Sequence, residues 1–142
     1  IEEGRKVAID EIHFEGNQAF SGDRLRAALD TKPEGFWFWQ DGEFDDAKWR
    51  ADLSLKLPAF YGEHGFIDMR VVSDSLAVDP DDGTMRLYVT IEEGPLYRTG
   101  TVDLAGNSRF SQTDLRQFLH LEPGSVFNAV AVEQTQADLL NL

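Results

Sequence analysis

Two runs of alternating apolar residues near the middle of the chain carry its clearest secondary-structure signal. Ile67, Met69 and Val71, then Leu76 and Val78, form the first, and Met85, Leu87, Val89 and Ile91 form the second. A period of two belongs to half-buried strands, and the intervening Asp79-Pro80-Asp81-Asp82-Gly83 supplies turn residues, so a hairpin is predicted. Apolar positions in the first run are odd up to Val71 and even from Leu76. One extra residue must therefore be absorbed, and a β-bulge is expected around Val72 to Asp74.

Upstream, Val7 to Glu15 is rich enough in β-branched and aromatic residues for a strand, ended by the turn pair Gly16-Asn17. A helix follows, with Ser21 as N-cap, Asp23 in its first turn, and Leu25, Ala28 and Leu29 on one stripe. A second helix is predicted over about Asp45 to Glu63, where Trp49, Leu53, Leu57, Phe60 and Tyr61 share a face and Gly65 stands near the end. Pro58 removes a backbone donor and crowds the carbonyl of Ser54, so a kink or an early stop is expected there. The order strand, helix, helix, strand, strand gives an α+β fold, a small sheet with two helices on one face. A three-stranded sheet has two edges, each with a row of unpaired N–H and C=O groups unless something covers it.

The tetrapeptide Ile-Glu-Glu-Gly at residues 1–4 returns at 91–94, and the shift of 90 keeps aligning like with like. Ile12 and Phe14 meet Val102 and Leu104, Gly16-Asn17 meets Gly106-Asn107, Phe20-Ser21 meets Phe110-Ser111, and Leu25-Arg26 meets Leu115-Arg116. Matched punctuation and hydrophobic spacing together identify an internal repeat. The register then slips, Gly35 meeting Gly124 and Phe44 meeting Phe127, which places an insertion in the first copy. The expected division is the strand end of a preceding unit at 1–4, a complete unit at 5–94, and the strand and two helices of another at 95–142. In that last part Ser111 should cap a helix with Asp114 in a capping box, and Val102, Leu115, Phe118 and Leu139 would lack a hairpin to cover them. Further chain or a second molecule is expected to supply that cover.

Charge narrows the partners. Lys+Arg 13 against Asp+Glu 26 gives a net charge of -13 over 142 residues, which repels phosphate backbones and argues against nucleic acid. Apolar content of 42% permits a core, and the absence of Cys removes disulfides and thiolate metal sites. No stretch approaches a membrane-spanning length, and an N-terminus without Met or a basic head suggests a piece of something longer.

The stretches FEGNQAFSGDRLRAAL and LAGNSRFSQTDLRQFL, FYGEHGFIDMRV, and VTIEEGPLYRTGTVDLAGN across the junction resemble polypeptide-transport-associated (POTRA) domains, the repeats of the BamA-type outer-membrane assembly factors. The resemblance spans essentially the whole chain. It implies tandem βααββ units, each a three-stranded mixed sheet with two helices on one face, in the periplasmic arm of an outer-membrane protein. It also implies a C-terminal membrane barrel, adjacent POTRA domains, accessory lipoproteins and unfolded outer-membrane protein chains as partners. In such domains the second strand lies at an edge to which other chains add by β-augmentation. Carried onto this sequence, that edge is Ile67, Asp68, Met69, Arg70, Val71, Val72, Leu76 and Val78, with Lys56, Phe60 and Glu63 bordering a groove. The alternatives are a rigid docking scaffold for lipoproteins, or a relative devoted to translocation or a single substrate.

Phe36, Trp37, Phe38 and Trp39 cannot all face inward from one extended segment, so they form either an exposed binding patch or, more simply, a plug between the helices and their own sheet or the neighbouring domain. Asp79, Asp81 and Asp82 follow hairpin-turn chemistry and lack calcium-loop spacing. Asp41, Glu43, Asp45 and Asp46 suit a solvated loop and a helix N-terminus. His13, His64 and His120 lack companions at ligand spacing, so neither metal nor cofactor is expected. With no nucleophile elbow or phosphate-cradling loop, no catalytic residue stands out and the chain is expected to be a non-enzyme.

Overall fold

A computed structural model describes residues 7–33 and 44–142. Its chain divides into two compact units, Ile1–Pro58 with Met69–Glu93, and Ala59–Asp68 with Gly94–Leu142. The first holds a three-stranded sheet of β1 (Ala8–Glu15), β2 (Arg70–Asp79) and β3 (Thr84–Glu92), in the order β1-β3-β2. β3 pairs parallel with β1 and antiparallel with β2, so the sheet is mixed, with the hairpin's second strand at its centre.

One face of this sheet is covered. Met85, Leu87, Val89 and Ile91 of β3 are buried, as are Ile9 and Ile12 of β1, while the alternate Arg86, Tyr88 and Glu92 are exposed. The β2–β3 register shifts between Val71 and Ser73, which makes Val72 the extra residue and locates the bulge that the change of parity requires. A second irregularity lies between Ile9 and Glu11 of β1. It is what lets Ile9 and Ile12, three apart, both face the core.

Helix α1 (Gly22–Ala28) begins at Ser21, whose hydroxyl accepts the N–H of Arg24. The chain leaving α1 is held by Asp52, a fully buried carboxylate that accepts N–H groups from Asp30 at 2.9 Å and Thr31 at 2.7 Å. Lys32 donates its ammonium to the carbonyls of Arg26 and Ala27 at the end of α1. Burial pushes that ammonium below its ordinary range, against the opposing pull of Asp52 and Asp30.

Helices α2 (Asp46–Ala51) and α3 (Leu57–Glu63) are joined by a π-helical stretch, Asp52–Lys56. Pro58 does not stop the helix. The Leu57 N–H reaches back five residues to the Asp52 carbonyl, and this wider winding takes the place of the regular ladder that the proline ring would have crowded.

Two expectations need correction. β2 starts at Arg70, so Ile67 and Asp68 stand in a turn and Met69 is a buried link outside the ladder. Gly65 and its neighbours end α3 with a turn that carries these residues away before the strand begins. The strand expected through Val102 and Leu104 is likewise not formed. A strand exists only through a neighbour, β1 is paired to β3, and residues 95–142 contain no counterpart of β3. Among the described residues there is accordingly one sheet.

The second unit contains α4 (Gln112–Arg116) and α5 (Ala129–Leu140). Ser111 accepts the Asp114 N–H and donates its hydroxyl to the Asp114 carboxylate at 2.6 Å, and Asn128 accepts from Val130 and Ala131 to start α5. The side-chain amides of Asn17 and Asn107 each bond the carbonyl three residues on, Phe20 and Phe110, so the turn leading into the helix has the same local form in both copies. Main-chain bonds join Thr99 N–H to the Ser125 carbonyl and Phe127 N–H to the Tyr97 carbonyl, and Tyr97 N–H to the Gly65 carbonyl. Gly65, at φ +88, is a close approach, because a Cβ there would lie within 3 Å of Leu96, Val126 and the Tyr97 carbonyl. The Tyr97 hydroxyl donates to Asp68 at 2.5 Å, which raises the phenol above its ordinary pKa. No helix among the described residues is long and apolar enough to cross a membrane.

The candidate polypeptide-binding edge

β2 has one sheet neighbour among the described residues, so along its other side the main chain is without a strand partner. Its cross-strand pairs fix which side chains point where. Asp74, Leu76 and Val78 stand opposite Val89, Leu87 and Met85 and so share the covered face, whereas Ser73, Ser75 and Ala77 stand opposite Thr90, Tyr88 and Arg86 on the open face. Cover fails at the edge. Leu87 is 0% exposed, yet its partner Leu76 is 52% exposed and the next inward residue, Val78, is 48% exposed.

The other edge differs. The Arg26 guanidinium, ion-paired to Asp23, donates at 2.8 Å to the Ile12 carbonyl of β1, and the Phe44 N–H donates at 3.1 Å to the carbonyl of Val7 just before that strand. Helix α1 and the chain entering α2 thus occupy acceptors on the β1 side. On the β2 side the Arg50 guanidinium of α2 lies 3.7 Å from the Asp74 carboxylate.

Of the residues assigned to the edge by resemblance, Arg70, Val71, Val72, Leu76 and Val78 lie on β2, while Ile67, Asp68 and Met69 do not. Arg70 pairs with Glu92 across the ladder at 2.5 Å, and Val72 is the bulged residue, 52% exposed. Lys56 is turned towards Asp30, 3.6 Å away, and the helix cation that meets β2 is Arg50. Only its place one helical turn after Asp46 pointed to Arg50 in the sequence, and that spacing says nothing of β2. Phe60 and Glu63 belong to the second unit, where the Phe60 ring packs on His64 at 4.6 Å. Phe36, Trp37, Phe38 and Trp39 lie outside the described residues. On the open face His13 stacks on Tyr88 at 5.2 Å and bonds Glu11, and among the described residues no group of three His, Asp or Glu is placed to hold a metal ion.

A three-stranded mixed sheet in βααββ order with the hairpin's first strand at its rim is the architecture of a POTRA domain. The chain belongs to that family, described as "Surface antigen variable number repeat", whose pattern it matches over residues 7–94. It is 34% identical over 138 residues to a "Putative outer membrane protein assembly factor" of Treponema pallidum, covering 94% of this chain and 16% of that protein. It is 26% identical over 144 residues to the "Outer membrane protein assembly factor BamA" of Neisseria meningitidis, covering 99% of this chain and 18% of the relative. The chain thus spans less than a fifth of the length of either. In fold it resembles the crystal structure of BamA from Haemophilus ducreyi lacking POTRA domains 1-3, with a TM-score of 0.67 at 13% identity, over 96% of this chain and 24% of that one. Both sequence relatives put this POTRA domain with those of BamA-type assembly factors.

Proposed function

We propose that the chain is part of the periplasmic arm of a BamA-like outer-membrane assembly factor, and that the β2 edge pairs with extended segments of unfolded outer-membrane proteins on their way to insertion. On this reading residues 5–94 are one complete POTRA domain and residues 95–142 the front of the next. Further POTRA domains, a membrane barrel and accessory lipoproteins are its partners. The observation that carries the proposal is the unequal treatment of the two rims: the Ile12 carbonyl of β1 and the Val7 carbonyl just before it are met by Arg26 and Phe44, while among the described residues β2 has no strand on its outer side and carries half-exposed Leu76 and Val78. Main-chain pairing supplies affinity with little regard to sequence, which suits a binder of many different chains.

The test uses extended peptides taken from an outer-membrane protein strand, N-methylated at alternate residues in either of the two phases. A strand adding to an edge offers every second N–H to it, so one phase should abolish binding to the 142-residue chain and the other leave it nearly intact. Equal binding by both methylated peptides would remove edge pairing as the mechanism.

A further inference from the structure

The β2 edge is two-faced in its side chains as well as open in its main chain. Beyond the bulge at Val72 the register runs unbroken from Ser73 to Asp79, where Pro80 and the hairpin turn end it. Within that window the inward side carries Leu76 and Val78, two apolar residues two positions apart and each about half exposed. The outward side carries Ser73, Ser75 and Ala77, small and exposed.

A strand laid along β2 would set its own side chains beside these. On the inward side two of its residues, also two apart, would sit next to Leu76 and Val78 and remove the remaining apolar surface of both from water. On the outward side its residues would stand beside small side chains in solvent, where an apolar group gains little. The bulge adds a boundary, because a strand continuing past Val72 loses its regular partner spacing.

We infer that the edge selects strands by their alternation: Leu76 and Val78 act as specificity-determining residues that favour an extended segment with apolar side chains on one face and polar ones on the other, over the window Ser73–Asp79. Such alternation over short segments is the pattern of strands in membrane β-barrels, which face lipid on one side and water on the other. The inference rests on the edge-pairing reading above, and it adds that the pairing is selective for a pattern rather than for residue identities.

The probes are two uncharged peptides of about eight residues and identical composition, a length typical of strands, one alternating Val and Thr and the other in blocks of two, Val-Val-Thr-Thr repeated, which never places two Val two positions apart. Both are titrated into the 142-residue chain with fluorescence anisotropy as readout, alongside the alternating peptide N-methylated in each phase. The alternating peptide should bind about tenfold tighter than the block peptide, as burying the exposed halves of two aliphatic side chains implies. In the L76S/V78S variant the two affinities should converge to within about twofold. A second variant, S75V/A77V, makes the outward side apolar and should raise the affinity of an all-Val peptide above that seen with the parent chain.

Equal binding of the alternating and block peptides to the parent, with one methylation phase still blocking, would overturn pattern selection and leave edge pairing standing. Indifference to methylation in both phases would overturn edge pairing and the selection built on it. Preserved discrimination in a folded L76S/V78S variant, or no gain for all-Val peptide in S75V/A77V, would show that these side chains are not what reads the pattern.

Discussion

β1 and β2 flank the same central strand and both stand at a rim of the sheet, yet the rest of the fold meets one of them far more closely than the other. Ile9 and Ile12 of β1 are buried, the Ile12 carbonyl accepts from Arg26, and the chain just ahead of β1 accepts from Phe44. Across β3, Leu76 and Val78 of β2 face the same way and are about half exposed, while Asp74 on that side is 3.7 Å from the Arg50 guanidinium. The covered face is therefore covered unevenly, fully over β1 and β3 and only in part over the inward residues of β2. An exposed edge is a hazard for aggregation that proteins ordinarily blunt with charge, bulges or cover. Here β2 has a bulge at one end and acidic turn residues at the other, and among the described residues no strand pairs with its outer side between them.

The largest effect expected from breaking this comparison lies in one cross-strand pair. Leu87 and Leu76 are the same residue in direct opposition, one with no exposed surface and the other half in water. Leu87→Ala should cost about 3 kcal/mol, the usual range for a filled core position, whereas Leu76→Ala should cost less than about 1 kcal/mol. Urea unfolding of the two variants checks this. Similar losses at both sites would mean that Leu76 is packed in solution and that the β2 edge is not open.

A smaller effect belongs to the β1 side. Arg26→Ala removes a charged donor from the Ile12 carbonyl, and a loss of about 1 to 2 kcal/mol is expected, because the acceptor is only part-buried and water can reach it. Peptide affinity should not change, since the variant leaves β2 intact. A marked change in affinity, in either direction, with the fold retained would place peptide binding at β1 and invert the comparison.

Much of this asymmetry could be read from the amino acids, and the reasons it could stop there are physical. Alternation at Met85, Leu87, Val89 and Ile91 reported a covered face, and the parity change between Val71 and Leu76 reported a bulge, because side-chain direction is strictly periodic in strands. The same logic was available for Ile9 and Ile12, whose spacing of three marks the irregularity in β1. What periodicity does not report is how far cover extends sideways. Leu76 and Val78 are as apolar as Leu87, and only the order of strands and the helices' reach expose them. Arg26, Arg50 and Asp52 escaped for a different reason: their partners Ile12, Asp74 and Thr31 are distant in sequence, and neither a charge nor a cap pattern encodes such pairs. Pro58 was recognised as an obstacle, but whether the helix stops or widens depends on whether its two halves both have somewhere to pack. Trp49 and Leu53 before the proline, and Leu57 and Tyr61 around and after it, are all buried, so there are packed residues on both sides of the π-helical turn.

The smallest effect concerns Arg50, the helix cation paired with Asp74 of β2. Arg50 and Asp74 are 3.7 Å apart, with side chains 64% and 27% exposed, so the pair should contribute no more than about 0.5 kcal/mol to stability. Arg50→Ala should therefore leave the unfolding midpoint nearly unchanged. Its consequence is electrostatic: Asp74 loses its neighbour on a chain already at -13, which deepens the negative field along the strand. An acidic peptide should then bind about twofold more weakly than to the parent in dilute buffer, an uncharged one equally well, and the difference should fade as salt shortens the screening length below about 8 Å. Weakening of the uncharged peptide to the same degree, persisting at high salt, would show instead that Arg50 touches the bound strand directly, and the border of the edge would have to be redrawn to include α2.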